Sequence, residues 1–210
     1  MKKIVLAFIL LSVAEASFSQ DEKKQFIHKG LLRAMATIAP GYMLKESIST
    51  ISIHGALEYY VADNISIRGD SYYFLNSNQL MPESGFPINY SILNYNHATF
   101  SGVSCHLRTR NHFDPYFYFQ PGISITNATT CLSIAPFNGC GSSVEKTTAN
   151  PLISFGTGFN FYFQRWFHLF GEARYVTGKY LSDAPTPMSL NELRFSFGLG
   201  FNLSVLKPKS

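Results

Sequence analysis

Positions 193–205 read L-R-F-S-F-G-L-G-F-N-L-S-V. Leu193, Phe195, Phe197, Leu199, Phe201, Leu203 and Val205 fall on one side; Arg194, Ser196, Gly198, Gly200, Asn202 and Ser204 fall on the other. This is the period of a β-strand with one apolar and one polar face. Strands of soluble sandwiches are mostly shorter than this run, whereas a tilted strand crossing a hydrocarbon layer uses about 9–11 residues. The pattern predicts the closing strand of a transmembrane barrel.

The same period recurs upstream and predicts strands over 31–43, 51–61, 65–75, 95–107, 116–126, 152–163 and 167–176. Ile51, Ile53, Leu57, Tyr59 and Val61 oppose Ser52, His54, Ala56, Glu58 and Tyr60, and Ile153, Phe155, Phe159, Phe161 and Phe163 oppose Ser154, Gly156, Gly158 and Asn160. Alternation over 95–107 is weak and sets no facing. With 193–205 the total is eight strands. Short or medium links at 62–64, 108–115 and 164–166 alternate with long ones at 76–94, 127–150 and 178–192, the end-to-end asymmetry of outer-membrane barrels. Loop 76–94 carries Leu80, Met81, Phe86 and Ile88; it contacts a protein or lipopolysaccharide, packs over the barrel mouth, or extends its strands beyond the membrane. The expected fold is an all-β, eight-stranded, antiparallel up-and-down barrel.

The first residues change the chain to be folded. Lys2 and Lys3 precede an apolar run over 4–13 and small residues at Ala14, Ala16, Ser17 and Ser19, the layout of a cleavable signal peptide over 1–19. Cleavage after Ala16 and after Ser19 both fit. No cysteine stands at the junction, which argues against a lipoprotein anchor. Residues 20–30 form a polar periplasmic lead-in, 31–205 the barrel and 206–210 a tail. Losing Lys2, Lys3 and Glu15 takes the formal charge from +4 to +3, too mild for nucleic-acid binding. With 19 Phe and 12 Tyr against 14% charged residues, and no long uninterrupted apolar run after the leader, the composition excludes helical spans and fits a membrane barrel.

Three cysteines are present. Cys131 and Cys140 bracket C-L-S-I-A-P-F-N-G-C and fit a loop disulfide in an oxidising compartment, with metal ligation the alternative and no histidine nearby. Cys105, inside a strand, stands alone.

The polar faces collect Arg33, Glu58, Arg68, Asp70, Glu172, Arg174 and Arg194. An eight-stranded barrel is just wide enough for side chains to fill it, and buried charges there must pair. The predicted site is therefore a lumenal ion-pair plug; a gated conduit in which the pairs exchange partners is its rival. His54, Asp70 and Ser71 come nearest to catalytic residues, but Asp70 and Ser71 are adjacent on a strand and point to opposite faces. The six histidines show no metal-ligand spacing, so no metal, cofactor or catalysis is expected.

Over 31–205 the chain resembles the eight-stranded outer-membrane barrels of the OmpA/OmpX-like group. Ser196, Gly198, Phe201 and Leu203 are similar to the C-terminal signal read by the barrel-assembly machinery, although this chain continues with Lys207-Pro208-Lys209-Ser210. The resemblance implies an outer-membrane location with both termini periplasmic. It implies contact with outer-membrane lipid, lipopolysaccharide and the assembly machinery, and a structural or surface-interaction role with an extracellular protein partner met through the loops. Lipid A-modifying enzymes share the fold, but their His-x-Ser pattern is matched only loosely by His97-Ala98-Thr99. A soluble lipocalin-like carrier is also eight-stranded, and would carry its apolar residues inside.

Overall fold

The computed structural model describes residues 26–79, 89–107, 112–133, 140–181 and 188–206. They form eight strands: β1 (Leu31–Met43), β2 (Ile48–Ala62), β3 (Ile65–Gln79), β4 (Asn89–His106), β5 (Phe113–Ser133), β6 (Cys140–Tyr162), β7 (Phe167–Gly178) and β8 (Glu192–Ser204). Each pairs antiparallel with its chain neighbours, and β1 pairs with β8 to close the barrel.

Facing follows the two-residue period. Phe197 is 65% exposed and Ile38 64%, while Arg33 and Arg68 are 0% exposed. Phe195, Leu199, Phe201, Ile67, Leu57, Phe119 and Phe155 join the outer belt. A lipocalin-like cup would face the other way. The outer surface is a band of Phe, Ile and Leu that water would solvate poorly and lipid chains would accept.

Three expectations need correcting. Segment 127–150 is mostly strand: β5 runs up to Ser133 and β6 starts at Cys140, with pairs Thr126↔Thr148, Asn127↔Thr147 and Thr129↔Glu145. The Asn and Thr residues that resemble turn formers instead bond across the sheet, Asn127 Nδ2 donating to Glu145 Oε1 and Thr147 Oγ1 at 2.9 Å each. Segment 76–94 is also shorter as a loop, because β3 reaches Gln79 and β4 begins at Asn89. Finally, Asp114, placed in a turn by its neighbours, is inside β5 and fully buried. Strand β4 alternates cleanly after all: Asn96, Ala98, Phe100, Ser104 and His106 are buried, and Thr99, Ser101 and Val103 exposed. Hydropathy missed this because Thr99 and Ser101 stand outside while Ala98 and Phe100 stand inside.

The end of the lead-in is packed. Ile27 and Leu31 are buried against Tyr60 and Tyr162, with Phe26 alongside, and close the barrel at the end bearing both termini. Gly30 has φ +86° beneath Leu206, a conformation only glycine adopts freely. There its N–H donates to Tyr60 O at 2.8 Å and its carbonyl accepts from Val205 N at 2.9 Å.

At the opposite end an apolar cluster that includes Met43, Ile48, Phe74, Leu93, Leu152, Val176, Tyr180, Met188 and Leu190 fills the interior. The charged residues lie between these two greasy layers. The leader over 1–19 and the tail residues 207–210 lie outside the described residues, as do the side chains of Cys131 and Cys140 on which the disulfide expectation falls. Cys105 is a free, half-buried thiol on β4.

Candidate functional site

The largest group of lumenal charges has Asp70 as its hub, projecting inward from β3. Its Oδ1 accepts from Arg68 Nη2 at 2.8 Å and lies 2.9 Å from Arg174 Nη2 and 2.8 Å from His54 Nε2, while Oδ2 accepts from Gln120 Nε2 at 2.7 Å. Arg68 reaches on to Glu172 Oε2 at 2.6 Å, which also accepts from Tyr116 Oη at 3.0 Å. Six strands thus send side chains to one point: β2, β3, β5, β7 and, through Ser196 Oγ at 3.0 Å from His54 Nδ1, β8, with β6 joining by Ser154 Oγ, 3.3 Å from Arg174 Nη1.

Nearer the termini, Arg33 pairs with Glu58 and lies 3.5 Å from Asp114. Between these acids sits His106, with Nε2 2.9 Å from Glu58 and Nδ1 3.0 Å from Asp114. Toward the other end, Arg194 donates to Glu192 Oε2 at 2.7 Å, and Thr50 donates to Glu192 Oε1.

All seven residues named from sequence are buried in this lumen, and the structure brings them together in three linked groups rather than one. Sequence reasoning missed Asp114, His106 and Glu192. Two of these fell in segments read as turn or loop. The third, His106, was visible as an inward position only if the facing of β4 was known.

Aromatic rings separate the guanidiniums. Arg174 and Arg194 face each other across the β7–β8 ladder, a repulsive arrangement for like charges. Tyr72 lies against both, 5.2 Å from Arg174 and 4.4 Å from Arg194. Tyr118 lies 4.7 Å from Arg68 and 4.6 Å from Arg174. Ring faces stabilise cations in such positions; Arg68 and Arg174 share Asp70, while Arg33 and Arg194 pair with Glu58 and Glu192. Inward glycines make room for these rings: a Cβ on Gly156 would collide with the Tyr118 ring, and one on Gly158 with Tyr116. Gly156→Val is therefore expected to lower stability by about 1–3 kcal/mol through overpacking. Urea unfolding in lipid vesicles, read from Trp166 as the single tryptophan, would show it as a lower midpoint.

Two chemical readings of the network meet opposing features in its geometry. His54, Asp70 and Glu172 offer ligand atoms within 4.8 Å of one another, yet Arg68 and Arg174 already neutralise these carboxylates, so a divalent cation would meet two guanidiniums. Ser196, His54 and Asp70 form a hydrogen-bonded chain of the residue types used in acyl transfer, but Asp70 is committed to both arginines and all three residues are buried. Ser71 projects to the outer face, away from Asp70, with its hydroxyl 3.3 Å from that of Thr99. The chain of bonds acts as a strut across the lumen.

Ser196 faces inward, Gly198 sits against Thr37 and Phe170, and Phe201 and Leu203 point outward on β8.

No family model and no curated sequence relative matches the chain. Solved structures do. It is similar to Ail, the attachment invasion locus protein of Yersinia pestis, at 12% identity and TM-score 0.51, over 83% of this chain and 99% of that one. It is similar to the outer membrane protein OprG from Pseudomonas aeruginosa at 10% identity and TM-score 0.51, over 84% and 97% of the two chains. The chain thus has the fold of the eight-stranded outer-membrane β-barrels.

Proposed function

We propose that this protein is a plugged barrel of the bacterial outer membrane, with both termini periplasmic, that presents a projecting sheet of β4, β5 and β6 for contact at the cell surface. The observation carrying this reading is unequal strand length. Strands β5 and β6 have 21 and 23 residues, against 13 in each of β1 and β8. The last β6–β7 pair is Leu152↔Gly178, and β6 continues past it to Cys140. At about 3.3 Å per residue, the twelve β6 residues from Cys140 to Pro151 extend the strand roughly 40 Å along its own direction past that level. Tyr95, Thr129 and Thr147 give the sheet a polar surface, held by hydrogen bonds to one another's neighbours and to the buried Asn127. The apolar layers above and below the ion pairs favour a closed lumen, so the role assigned is contact, without a catalytic step.

The test is a chain with residues 130–144 replaced by a two-residue Asn-Gly turn, which keeps the pair Thr129↔Glu145 in register, displayed on cells beside the full chain. Both should show the gel-mobility shift of a folded barrel on unheated samples. Retention of the cells on surfaces coated with extracellular-matrix proteins should fall to background for the trimmed chain alone. Equal retention would end the contact reading. Planar-bilayer recording of the full chain should give no discrete current steps; a steady single-channel conductance would establish the conduit instead.

A further inference from the structure

A groove of about 600 Å³ opens at the loop end of the barrel, among the β1–β2 turn, the upper part of β6, the end of β7 with Lys179, and Met188, Ser189 and Asn191 before β8. Its volume is within the range of small-molecule sites, about 300–1,000 Å³. Local chain geometry creates it. Past Val176↔Glu192 the β7–β8 ladder is interrupted, because the side-chain Oδ1 of Asn191 takes the bonds a strand would supply, accepting from Gly178 N at 3.2 Å and Thr177 Oγ1 at 2.9 Å.

The lining is two-sided. Pro151 and Ile153 continue the apolar outer belt into the groove. Above them stand Lys45 and Lys179, both exposed. Among the described residues neither ammonium lies in a salt bridge. The acid beside them, Glu46, is tied to Ser189, whose N–H donates to its Oε1 at 2.8 Å, and with its charge counted the three groups carry a net +1. Two cations therefore overhang a greasy wall at the level where strands leave the belt, with their stems over apolar surface and their charges at the rim. A free phosphate would use the cations and leave the wall idle; an uncharged lipid would do the reverse.

We propose that this groove is a docking site for phosphorylated lipid A of the outer leaflet, its acyl chains lying on Pro151 and Ile153 and its phosphates between Lys45 and Lys179. The assignment rests on the orientation given above, which places the loop end outward. Lysine–phosphate pairs at a lipid surface are charge-assisted and incompletely screened.

The full mature chain would be reconstituted in phosphatidylcholine nanodiscs carrying a few mole per cent of either bis-phosphorylated or dephosphorylated lipid A. Native mass spectrometry would count retained lipid A. Wild type should keep the phosphorylated form at least about tenfold better, a difference the two charged contacts can supply. Lys45→Gln/Lys179→Gln should lose that preference while still showing the folded mobility shift, and Lys29→Gln, at the opposite end, should retain it. Absence of a preference in wild type, or its survival in the double variant, overturns the site. Orientation is read separately, by clipping the β5–β6 hairpin with protease on intact cells: clipping without lipid preference rejects the groove alone, whereas protection there rejects the orientation.

Discussion

Asp70→Ala is expected to destabilise the folded barrel by about 3–5 kcal/mol, because removing one member of a buried ion-pair group leaves its partners charged and unmatched. The partners here are Arg68 and Arg174, with His54 and Gln120 losing an acceptor as well. Both guanidiniums are fully buried and flanked by rings rather than water, so neither can turn to solvent. Urea titration in vesicles, followed by Trp166 fluorescence and the gel-mobility shift, measures the loss. The discriminating variant is Asp70→Ala/Arg174→Met, which deletes one cation together with the anion. It should recover part of the loss, giving a coupling energy within the roughly 0.5–3 kcal/mol found for residues in contact. If the double variant costs the sum of the singles, Asp70 is not the hub.

The network explains why the interior can be so highly charged in so narrow a barrel. Arg33, Arg68, Arg174 and Arg194 face Glu58, Asp70, Asp114, Glu172 and Glu192, with His106 between two of the acids. Isolated, each charge would carry a desolvation cost of several kcal/mol. Interleaved with each other and with Tyr60, Tyr72, Tyr116 and Tyr118, they are solvated by the protein.

Much of this was legible along the chain. The two-residue period assigned the face of every lumenal charge named from sequence: in β8 the outward residues are Phe and Leu and the inward ones Glu, Arg, Ser, Gly and Asn, and in β7 Glu172 and Arg174 keep that period even though Phe170 and Val176 share their inner face. What was not legible depended on partners distant in sequence. Asn127–Thr130 and Thr147–Asn150 look like loop when read singly; paired as β5 and β6 they form a ladder, and only the pairing reveals its height. Asp114 follows Arg110-Asn111-His112 and precedes Pro115, a turn composition, yet its carboxylate accepts from Asn160 Nδ2 at 3.0 Å on β6 and from Tyr60 Oη at 3.0 Å on β2. The groove at Lys45 and Lys179 joins residues 134 positions apart and depends on one asparagine inserting into a ladder. No local pattern encodes that.

Leu199→Arg, at the middle of the outward row of β8, is expected to cost about 2–4 kcal/mol in vesicles, whereas Val205→Arg at the end of the row should cost about 0–1 kcal/mol. Both residues are similarly exposed, at 57% and 55%, so accessibility alone predicts equal effects. Depth in a hydrocarbon layer separates them: at the end of the strand the guanidinium reaches the headgroups, while beside Leu169 it must either thin the bilayer or draw water inward. The comparison holds the barrel's interior constant, since neither side chain enters the lumen. It therefore isolates the outer belt from the ion-pair plug that Asp70→Ala probes. Urea midpoints in bilayers of two acyl-chain lengths give a further reading, because thicker lipid should raise the cost of Leu199→Arg and leave Val205→Arg little changed. Equal costs at the two positions, or an improvement in aqueous solubility without loss of the folded form, would mean that lipid does not cover this face.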